Sequence, residues 1–447
     1  MRKFVMISAM LMIMLMAAAC SSADKKDVEV KSTLSENEVE KSIEIQEEEG
    51  PTYQIVENAF RKENAEIPKI YIDTTEEVGR DDYVTASVRV EDNSGQFEEI
   101  SDVNAKIKLR GHTTATGDKA PYNIKFMEKK NILGMGSSKK WCLIANLFDS
   151  TQMRNRLALD LARNMGLSYT SKCEYVELYY RGEDQGMYLL CTPVSEGKDK
   201  VDINISENDY LLQLQPYPEY SNKPKITTGA GIIFSIEEGN AEDLTYLNDF
   251  MKKFEEAISY GMDSLEKYAD IDSFVDFYVF NEIVKDVDFA TSSTYFYIKE
   301  GKIYAGPAWD YDLSMGNVDS EYHPEYNNVN TGEENYKGLY CQKFWYYYIM
   351  QIPEFQDKVK KRFNELQPLI ENLTTDNDLG KNRIDVILNQ YGTDIEHNFT
   401  LWEVGKKYGI HSMAPMGTYE ENVEYLRQWL KDRNEWLKGQ WAVSDNK

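Results

Sequence analysis

Histidine and cysteine are scarce in this sequence of 447 residues, and their scarcity argues against several kinds of catalytic centre. Four histidines are too few to favour a histidine-based metal centre or a catalytic triad. Beyond Cys20, the spacing of the remaining cysteines matches no zinc-binding template. A chain of this size needs no disulfide framework to fold. We therefore interpret these cysteines as buried thiols: Cys142, Cys173, Cys191 and Cys341.

Long apolar runs and basic residues are also in short supply. After the first 20 residues, no stretch approaches the ~18 consecutive apolar residues that a membrane-spanning helix needs. Lys and Arg number 50 against 76 Asp and Glu, which gives a net charge of −26. Nucleic-acid binding needs clustered Lys and Arg to contact phosphates, so this balance argues against a nucleic-acid partner. The excess negative charge also favours solubility.

The N-terminus is typical of an exported bacterial protein. Arg2 and Lys3 precede an apolar run, Phe4 to Met16, which is too short to span a bilayer stably. Small residues then lead to Cys20, a pattern that resembles a bacterial lipobox except for Ala17, where Leu is usual. We predict a lipoprotein signal peptide over residues 1–20, lipidation of Cys20, and an extracytoplasmic protein anchored to the cell membrane. The alternative is an ordinary signal peptide with an incidental cysteine.

An acidic segment follows the predicted signal peptide. Between residues 21 and 50 there are ten acidic side chains, four basic ones and no aromatic ring. Such a composition cannot bury enough apolar surface to offset the entropy lost on ordering. We predict a disordered tether over residues 21–52, which leaves enough chain for one large domain or two lobes.

The rest of the chain changes from a strand pattern to a helix pattern. Up to about residue 237, most segments alternate apolar and polar residues or are rich in β-branched ones, as in Tyr83–Val90. Later segments have helical spacing, including an almost wholly apolar helix, Phe274–Val284, with Asp272 as its predicted cap. We predict an α+β protein with a β-rich N-terminal lobe, 66–237, and a helical C-terminal lobe, 238–447.

Three acidic residues in the stretch 281–317 form the strongest chemical pattern. Asp288 follows the apolar helix, a short β-hairpin comes next, and Asp310 and Asp312 end the run. Because a hairpin folds back on itself, its two flanking loops can bring these carboxylates together. Phosphoryl transfer needs carboxylates that bind Mg²⁺ and a further carboxylate that accepts the proton of the attacking hydroxyl. Paired acids also occur in calcium loops and glycosidases, and acids often simply cap turns, so the pattern alone leaves these alternatives open.

Several separate motifs resemble those of the CotH (spore coat protein H) kinase family. In chain order they cover about residues 66–320, and their combination is far more specific than any one of them. The motifs are Arg110–Thr114, Lys119–Lys125, Trp141–Asn146, Asp149 with Arg154-Asn155, Gly186–Leu190, Asn281-Glu282, Asp288, Ser293–Tyr297, Gly306–Asp312 and Gly316-Asn317.

The resemblance implies a bilobal, atypical protein-kinase-like fold that binds ATP and Mg²⁺ between its lobes. The implied activity is phosphate transfer to Ser or Thr of an exported surface or coat protein. Asp288 is then the catalytic carboxylate, and the metal ligands are Asp310, Asp312 and Ser293. Arg110, Lys119 and Lys125 are the implied ligands of the ATP phosphates, and the alternative for each is a solvated strand residue.

Departures from the family pattern keep other functions open. His112 replaces the usual Asn of its motif, and Ser293 stands where typical protein kinases have a metal-binding Asn. Thr192 and Gln213 occupy positions that are often Glu in the family. A catalytically weak pseudokinase, serving as a surface binding or assembly module, is therefore the main alternative. A carbohydrate-active protein is a third possibility, suggested by the paired acids, 31 tyrosines and seven tryptophans.

Overall fold

The computed structural model describes residues 66–111, 114–217, 221–402 and 411–442. The predicted signal peptide with Cys20, the acidic tether and His112 lie outside the described residues. Within the described ranges, no helix is both long and apolar enough to cross a membrane.

Seven strands near the start of the described chain close into a barrel. Its strand order is β1-β2-β3-β4-β5-β7-β6, and a parallel pairing of β1 with β6 closes it. The other neighbouring pairs are antiparallel. The strands are β1 (Lys69–Asp73), β2 (Val84–Glu91), β3 (Ile100–Leu109), β4 (Tyr122–Asn131), β5 (Ser137–Ile144), β6 (Cys173–Tyr180) and β7 (Glu183–Cys191).

Alternating side chains fill the barrel. Successive residues of a strand point to opposite faces, so the apolar residues of each strand collect inside. Ile107, Ile124 and Trp141, from β3, β4 and β5, are fully buried in one apolar cluster. The polar residues between them lie on the outer face, where Lys106 and Lys125 are exposed.

A second sheet joins strands that are far apart in sequence. Its order is β12-β11-β8-β10-β9, and β11 pairs with β8 through Tyr295↔Gln213 and Ile298↔Tyr210. Strands β8, β9 and β10 end by residue 238, whereas β11 and β12 begin after residue 290. This sheet therefore contains strands from both predicted lobes, 66–237 and 238–447. The strands are β8 (Tyr210–Leu214), β9 (Lys225–Thr227), β10 (Ile233–Glu238), β11 (Tyr295–Lys299) and β12 (Lys302–Ala305).

Helices make up most of the chain after β10. The earlier α1 (Arg154–Asn164) lies between β5 and β6. The later helices are α2 (Thr245–Ile258), α3 (Met262–Leu265), α4 (Ile271–Val284), α5 (Phe344–Ile349), α6 (Pro353–Glu365), α7 (Gln367–Glu371), α8 (Arg383–Leu401) and α9 (Tyr419–Trp441). Single 3₁₀ turns occur at Thr114–Thr116 and Ile205–Glu207.

The central helix α4 is buried on nearly all sides, as its apolar sequence predicts. Its predicted cap is wrong by two positions. The Asp270 side chain accepts from Ser273 N at 2.9 Å, whereas Asp272 lies in the first turn. Cap residues lie just outside the helix and accept from an N-terminal amide, and Asp270 has the extended backbone that this requires.

Two large apolar clusters account for most of the core. One fills the barrel, and the other runs through the helices, the second sheet and the outer side of β5. The predicted α+β class, with a β-rich part and a helical part, is confirmed. The closed barrel was not predicted, and the bilobal kinase-like arrangement remains a prediction.

Candidate functional site

Two loops, one on each side of the β11–β12 hairpin, bring the acidic residues together. Helix α4 ends at Val284, and the left-handed backbone of Lys285 turns the chain into the loop that carries Asp286 and Asp288. The hairpin pairs Phe296 with Ala305 and returns the chain to the same end, where Asp310 follows. The Tyr311 amide donates to Asn155 Oδ1 at 2.7 Å, so α1 positions the second loop.

The Asp310 loop has an unusual backbone. Asp310 has φ of 69°, and Ser293, whose hydroxyl donates to Asp310 Oδ2 at 3.0 Å, has φ of 49°. Residues other than glycine adopt such left-handed conformations at a cost, and this kind of strain is concentrated at functional sites. Ser293 and Asp310, which are strained and hydrogen-bonded to each other, therefore indicate a functional site at this end of the hairpin.

The carboxylates repel one another. Burial, and then the charge of Asp310, raises the pKa of Asp288 to about 6. Burial raises the pKa of Asp312 well above its usual value, and Asp310, Asp288 and Asp149 add to that effect. The structure thus brings Asp288, Asp310 and Asp312 into one electrostatic neighbourhood.

Asp286 belongs to the same neighbourhood and was missed in the sequence. Its side chain is buried, and its Oδ1 has no hydrogen-bond partner among the described atoms. Burial, followed by the charge of Asp288, raises its pKa well above the usual value. The available signal was the Asp-Val-Asp spacing at 286–288, which repeats the spacing of Asp310 and Asp312. The four residues are named the aspartate cluster below.

The aspartate cluster suits a divalent cation. Within the described chain, no Lys or Arg forms an ion pair with any of its four carboxylates, and the free oxygen of Asp286 offers a ligand atom. Among the described residues, no three of its carboxylates have ligand oxygens that all lie within 4.8 Å of one another. Mg²⁺ fits such a site because it takes one or two carboxylates and keeps several waters.

Arg110 is the predicted phosphate ligand whose charge interacts with the aspartate cluster. Its guanidinium carbon is 5.2 Å from the centre of the Trp309 ring. Burial opposes its charge, but Cys142 and Asp310 outweigh that effect and raise its pKa. Arg110 and Asp310 therefore belong to one electrostatic neighbourhood.

Lys119 and Lys125 lie in different surroundings. Lys119 is only 2% exposed, and its ammonium donates to Asn398 Oδ1 at 2.9 Å and to the carbonyls of Ala145 and Met187. These contacts connect the barrel to α8, and none of them involves the aspartate cluster. Lys125 is exposed on the outer face of β4, with its ammonium 5.9 Å from the centre of the Tyr83 ring.

A buried ion pair supports the loop that follows Asp312. Arg154 Nη1 lies 2.6 Å from Asp149 Oδ1, and both side chains are almost fully buried. Arg154 also donates from Nε to the Ser314 carbonyl at 3.1 Å. Asp149 thus holds the first residue of α1 through its side chain, and its Oδ2 also accepts from the Arg154 amide at 2.7 Å.

Lys343 is a second cation that the sequence did not reveal. Its ammonium lies 3.3 Å from the centre of the Tyr340 ring, and the Tyr340 hydroxyl donates to the Val287 carbonyl at 3.2 Å. The charge of Lys343 partly offsets the raised pKa of Asp288. No sequence motif marks this residue, which reaches the site from a segment 55 positions further on.

Other motif residues have structural contacts. Glu282 forms a buried ion pair with Arg433, at 2.8 Å, and accepts from the Tyr340 and Cys341 amides. Thr192 Oγ1 accepts from the Lys172 amide at 3.0 Å. Gln213 lies in β8 opposite Tyr295.

A separate group of possible metal ligands lies between the β6–β7 hairpin and α8. Ligand atoms of Glu177, Asp184 and His397 all lie within 4.8 Å of one another. His397 Nε2 is 2.7 Å from Asp184 Oδ2, and Lys69 is 3.9 Å from Glu177. Because these side chains already have partners, the group needs no ion to explain it.

Comparison with known proteins adds a family to this geometry. The model of the CotH kinase protein family matches residues 107–437, which run from β3 into α9 and include every predicted catalytic, nucleotide-binding and metal-binding residue. No curated protein matches the chain.

Proposed function

Because the chain belongs to the CotH kinase protein family, we propose that it is an atypical protein kinase that transfers the terminal phosphate of ATP to Ser or Thr of an exported protein. The observation that carries this proposal is the meeting of the Asp286–Asp288 loop with Asp310 and Asp312. We infer a bilobal kinase-like arrangement in which ATP binds between the barrel and the helical part.

Asp310 and Asp312, with the Ser293 hydroxyl, are the proposed Mg²⁺ ligands. When bound, Mg²⁺ would neutralise the phosphate oxygens of ATP. The hydrogen bond from Ser293 to Asp310 supports this grouping, because it orients one carboxylate oxygen and leaves the other free. Asp286, with its unpartnered oxygen, is a further candidate ligand.

Asp288 is the proposed catalytic carboxylate. It would accept the proton of the substrate hydroxyl as that oxygen attacks the terminal phosphate. A pKa of about 6 leaves Asp288 mainly ionised at neutral pH and makes it a better proton acceptor than an ordinary Asp. Arg110 would contact the phosphates, since a guanidinium grips two phosphate oxygens at once.

The location of the protein is part of the proposal. Lipidation of Cys20 would place the kinase on the outer side of the cell membrane, with residues 21–52 as its tether. Its substrates would then be surface or coat proteins with Ser or Thr acceptors.

The pseudokinase alternative is favoured by one observation. Lys119, a predicted phosphate ligand, has all of its described contacts inside the protein, which leaves Arg110 and Lys125 for the nucleotide. A protein with fewer phosphate ligands could keep the fold and act as a binding module.

Incubation of the purified protein with radiolabelled ATP, Mg²⁺ and a Ser-rich surface protein separates the two proposals. A kinase transfers label, and Asp288→Ala and Asp310→Ala each abolish the transfer without loss of folding. No labelling and no ATP binding by the folded wild-type protein would contradict the kinase proposal and support the pseudokinase. Release of sugars from a polysaccharide would contradict both.

A further inference from the structure

Three cysteines lie side by side across neighbouring strands of the barrel. Cys191, the last residue of β7, lies directly opposite Cys142 of β5 on one side and Cys173, the first residue of β6, on the other. Side chains of directly opposite residues point to the same face of a sheet. All three are buried free thiols in the apolar cluster that joins the helices to the outer side of β5. Cys142, Cys173 and Cys191 are named the thiol row.

The spacing of the thiol row suits a bond between two thiols better than a metal ion held by all three. Among the described residues, the three sulfur atoms do not all lie within 4.8 Å of one another. A single Zn²⁺ holds each sulfur at about 2.3 Å, which brings its sulfur ligands within about 4 Å of one another. A disulfide needs only one neighbouring pair.

The backbone hydrogen bonds between β6 and β7 favour the pair Cys173 and Cys191. The Thr192 amide donates to the Lys172 carbonyl at 3.0 Å. Because hydrogen-bonded and non-hydrogen-bonded pairs alternate along antiparallel strands, the next pair, Cys173 and Cys191, is non-hydrogen-bonded. The Cα atoms of such a pair are about 4.5 Å apart. This distance lies within the range of about 4.4–6.8 Å that disulfides span.

Cys142 is the weaker partner for Cys191. The amide and carbonyl of Cys191 point towards β5, so its pair with Cys142 is hydrogen-bonded, with Cα atoms about 5.5 Å apart. The Cys142 thiol also donates to Asn123 Oδ1 at 3.3 Å. Burial raises the pKa of the Cys191 thiol well above its usual value, and Cys173 adds more to that effect than Cys142 does. The Cys191 thiol therefore interacts more strongly with Cys173.

We propose that Cys173 and Cys191 become joined by a disulfide as the chain folds outside the membrane, whereas Cys142 keeps its thiol. The observation that carries this inference is the direct opposition of two buried thiols in a non-hydrogen-bonded pair. The inference rests on the proposed location of the protein, because disulfides form and persist in oxidising compartments outside the cytoplasm. It does not depend on kinase activity.

Burial determines when the disulfide forms. Cys173 and Cys191 are both 0% exposed in the folded protein. Thiols that are buried in apolar surroundings are unreactive, because the thiolate that would attack an oxidant is disfavoured there. The reaction therefore belongs to folding, before the helices cover this face of the barrel.

The oxidant is a low-molecular-weight disulfide. The thiolate of one cysteine attacks it, its S–S bond breaks, and one small thiol leaves. The thiolate of the second cysteine then attacks the mixed disulfide, which forms the bond between Cys173 and Cys191 and releases the second small thiol. The two protons of the cysteines end on the two released thiols, and the oxidant gains the two electrons that the cysteines lose.

Peptide mapping of the full chain, isolated from the surface of cells that export it, tests this proposal. Free thiols are first blocked with iodoacetamide in denaturant. The peptides of Cys173 and Cys191 should be linked to each other, and Cys142 should be alkylated. Alkylated Cys173 and Cys191 would overturn the proposal, and so would a link between Cys142 and Cys191. Recovery of the chain only from the cytoplasm, with free thiols, would overturn it through the location, whatever a kinase assay shows.

Refolding tests the geometry without the cell. The full chain, reduced and unfolded in guanidinium, is refolded in a mixture of oxidised and reduced glutathione and should form the same link. Chain that is already folded when the mixture is added should keep both thiols. Refolded protein without the link would overturn the proposal. Equally fast oxidation of the folded chain would contradict formation during folding.

Thermal unfolding with and without dithiothreitol provides a second readout. The exported wild-type protein should lose on the order of 5 °C of Tm in dithiothreitol, because reduction removes a constraint on the unfolded chain. Cys173→Ala should lose none. Cys142→Ala, and Cys341→Ala at a buried thiol outside the barrel, are the controls and should lose as much as the wild-type protein. A loss that disappears in Cys142→Ala but persists in Cys173→Ala would overturn the assignment of the pair.

Discussion

Asp286 and Asp312 carry negative charge into the interior of the protein, where no described basic side chain forms an ion pair with either. Their raised pKa values express the cost of burying charge beside charge. Such an arrangement lowers the stability of the fold, and functional sites often retain groups that do so. A bound cation would reverse the effect.

Asp312→Asn should therefore stabilise the metal-free protein, by about 1–2 kcal/mol, because a neutral amide removes the repulsion and keeps the shape. The same change should abolish the increase in Tm that Mg²⁺ causes in the wild-type protein. Thermal unfolding with and without Mg²⁺ measures both effects. Asp272→Asn, at a well-exposed carboxylate of α4, is the control and should alter neither. A lower Tm for Asp312→Asn without Mg²⁺ would contradict the repulsion argument.

A histidine pair predicts how stability depends on pH. His323 Nε2 lies 2.9 Å from His411 Nδ1, a contact that requires at least one neutral ring. Burial, and then the charge of His411, lowers the pKa of His323, and burial lowers the pKa of His411. The unfolded chain therefore binds protons first as the pH falls. The stabilising contribution of the neutral histidine pair is accordingly present above about pH 6.5 and is lost below it.

Thermal unfolding at pH 7.5 and pH 5.0 tests this sign. The wild-type protein should lose more Tm between the two values than His323→Gln does, because the variant has no second ring to protonate. The comparison with the variant cancels the carboxylates that titrate over the same interval. An equal loss in both proteins would show that the pair does not control acid stability.

At the scale of elements, sequence patterns predicted where strands occur better than which strands pair with one another. The alternation in Tyr83–Val90, for example, corresponds to β2 in the structure. Barrel closure depends on the parallel pairing of β1 with β6, about 100 positions away, and the alternation of a barrel strand is the same as that of an open sheet. The pairing of β8 with β11 joins residues more than 80 positions apart, such as Gln213 and Tyr295, and the local pattern does not reveal it either.

The candidate site was partly predictable for the same reason. Asp288, Asp310 and Asp312 lie on either side of one hairpin, so local folding brings them together. Lys343, just before α5, and Arg110, just after β3, come near the site through tertiary packing that no spacing rule describes. Lys119, in contrast, belongs to a family motif that predicts a phosphate ligand, but its side chain is buried and bonded to Asn398.

Lys119 is expected to act through stability, because its ammonium bridges the barrel and α8. Lys119→Met removes the ammonium that donates to two carbonyls and one of the two donors to the Asn398 side-chain oxygen, and should cost roughly 2–4 kcal/mol of unfolding free energy. Its KM for ATP should stay within about twofold of the wild-type value if the fold is retained. Arg110→Gln should do the opposite, with little change in Tm and a KM for ATP raised on the order of tenfold. A stable Lys119→Met protein that no longer binds ATP would restore Lys119 as a phosphate ligand.

At the scale of the whole molecule, a buried arginine of helix α9 connects this helix to the segments around the site. Arg433 donates to the Tyr336 and Gly338 carbonyls at 2.7 and 2.8 Å, and to the Glu282 side chain near the end of α4. Glu282 in turn accepts from Tyr340, whose ring contacts the Lys343 ammonium. The last helix thereby supports both the loop that follows α4 and the segment that carries Lys343.

Removal of one partner of this ion pair should be more damaging than removal of both. Arg433→Met leaves the Glu282 charge buried without compensation and should cost about 3–5 kcal/mol. In Glu282→Gln/Arg433→Met no charge remains, and the amide oxygen can still accept from the Tyr340 or Cys341 amide. The double variant should therefore be less destabilised than the sum of the single variants by at least about 1 kcal/mol, measured by urea unfolding. Strict additivity would mean that Glu282 and Arg433 stabilise the protein independently, and that α9 does not depend on the α4 carboxylate for its attachment.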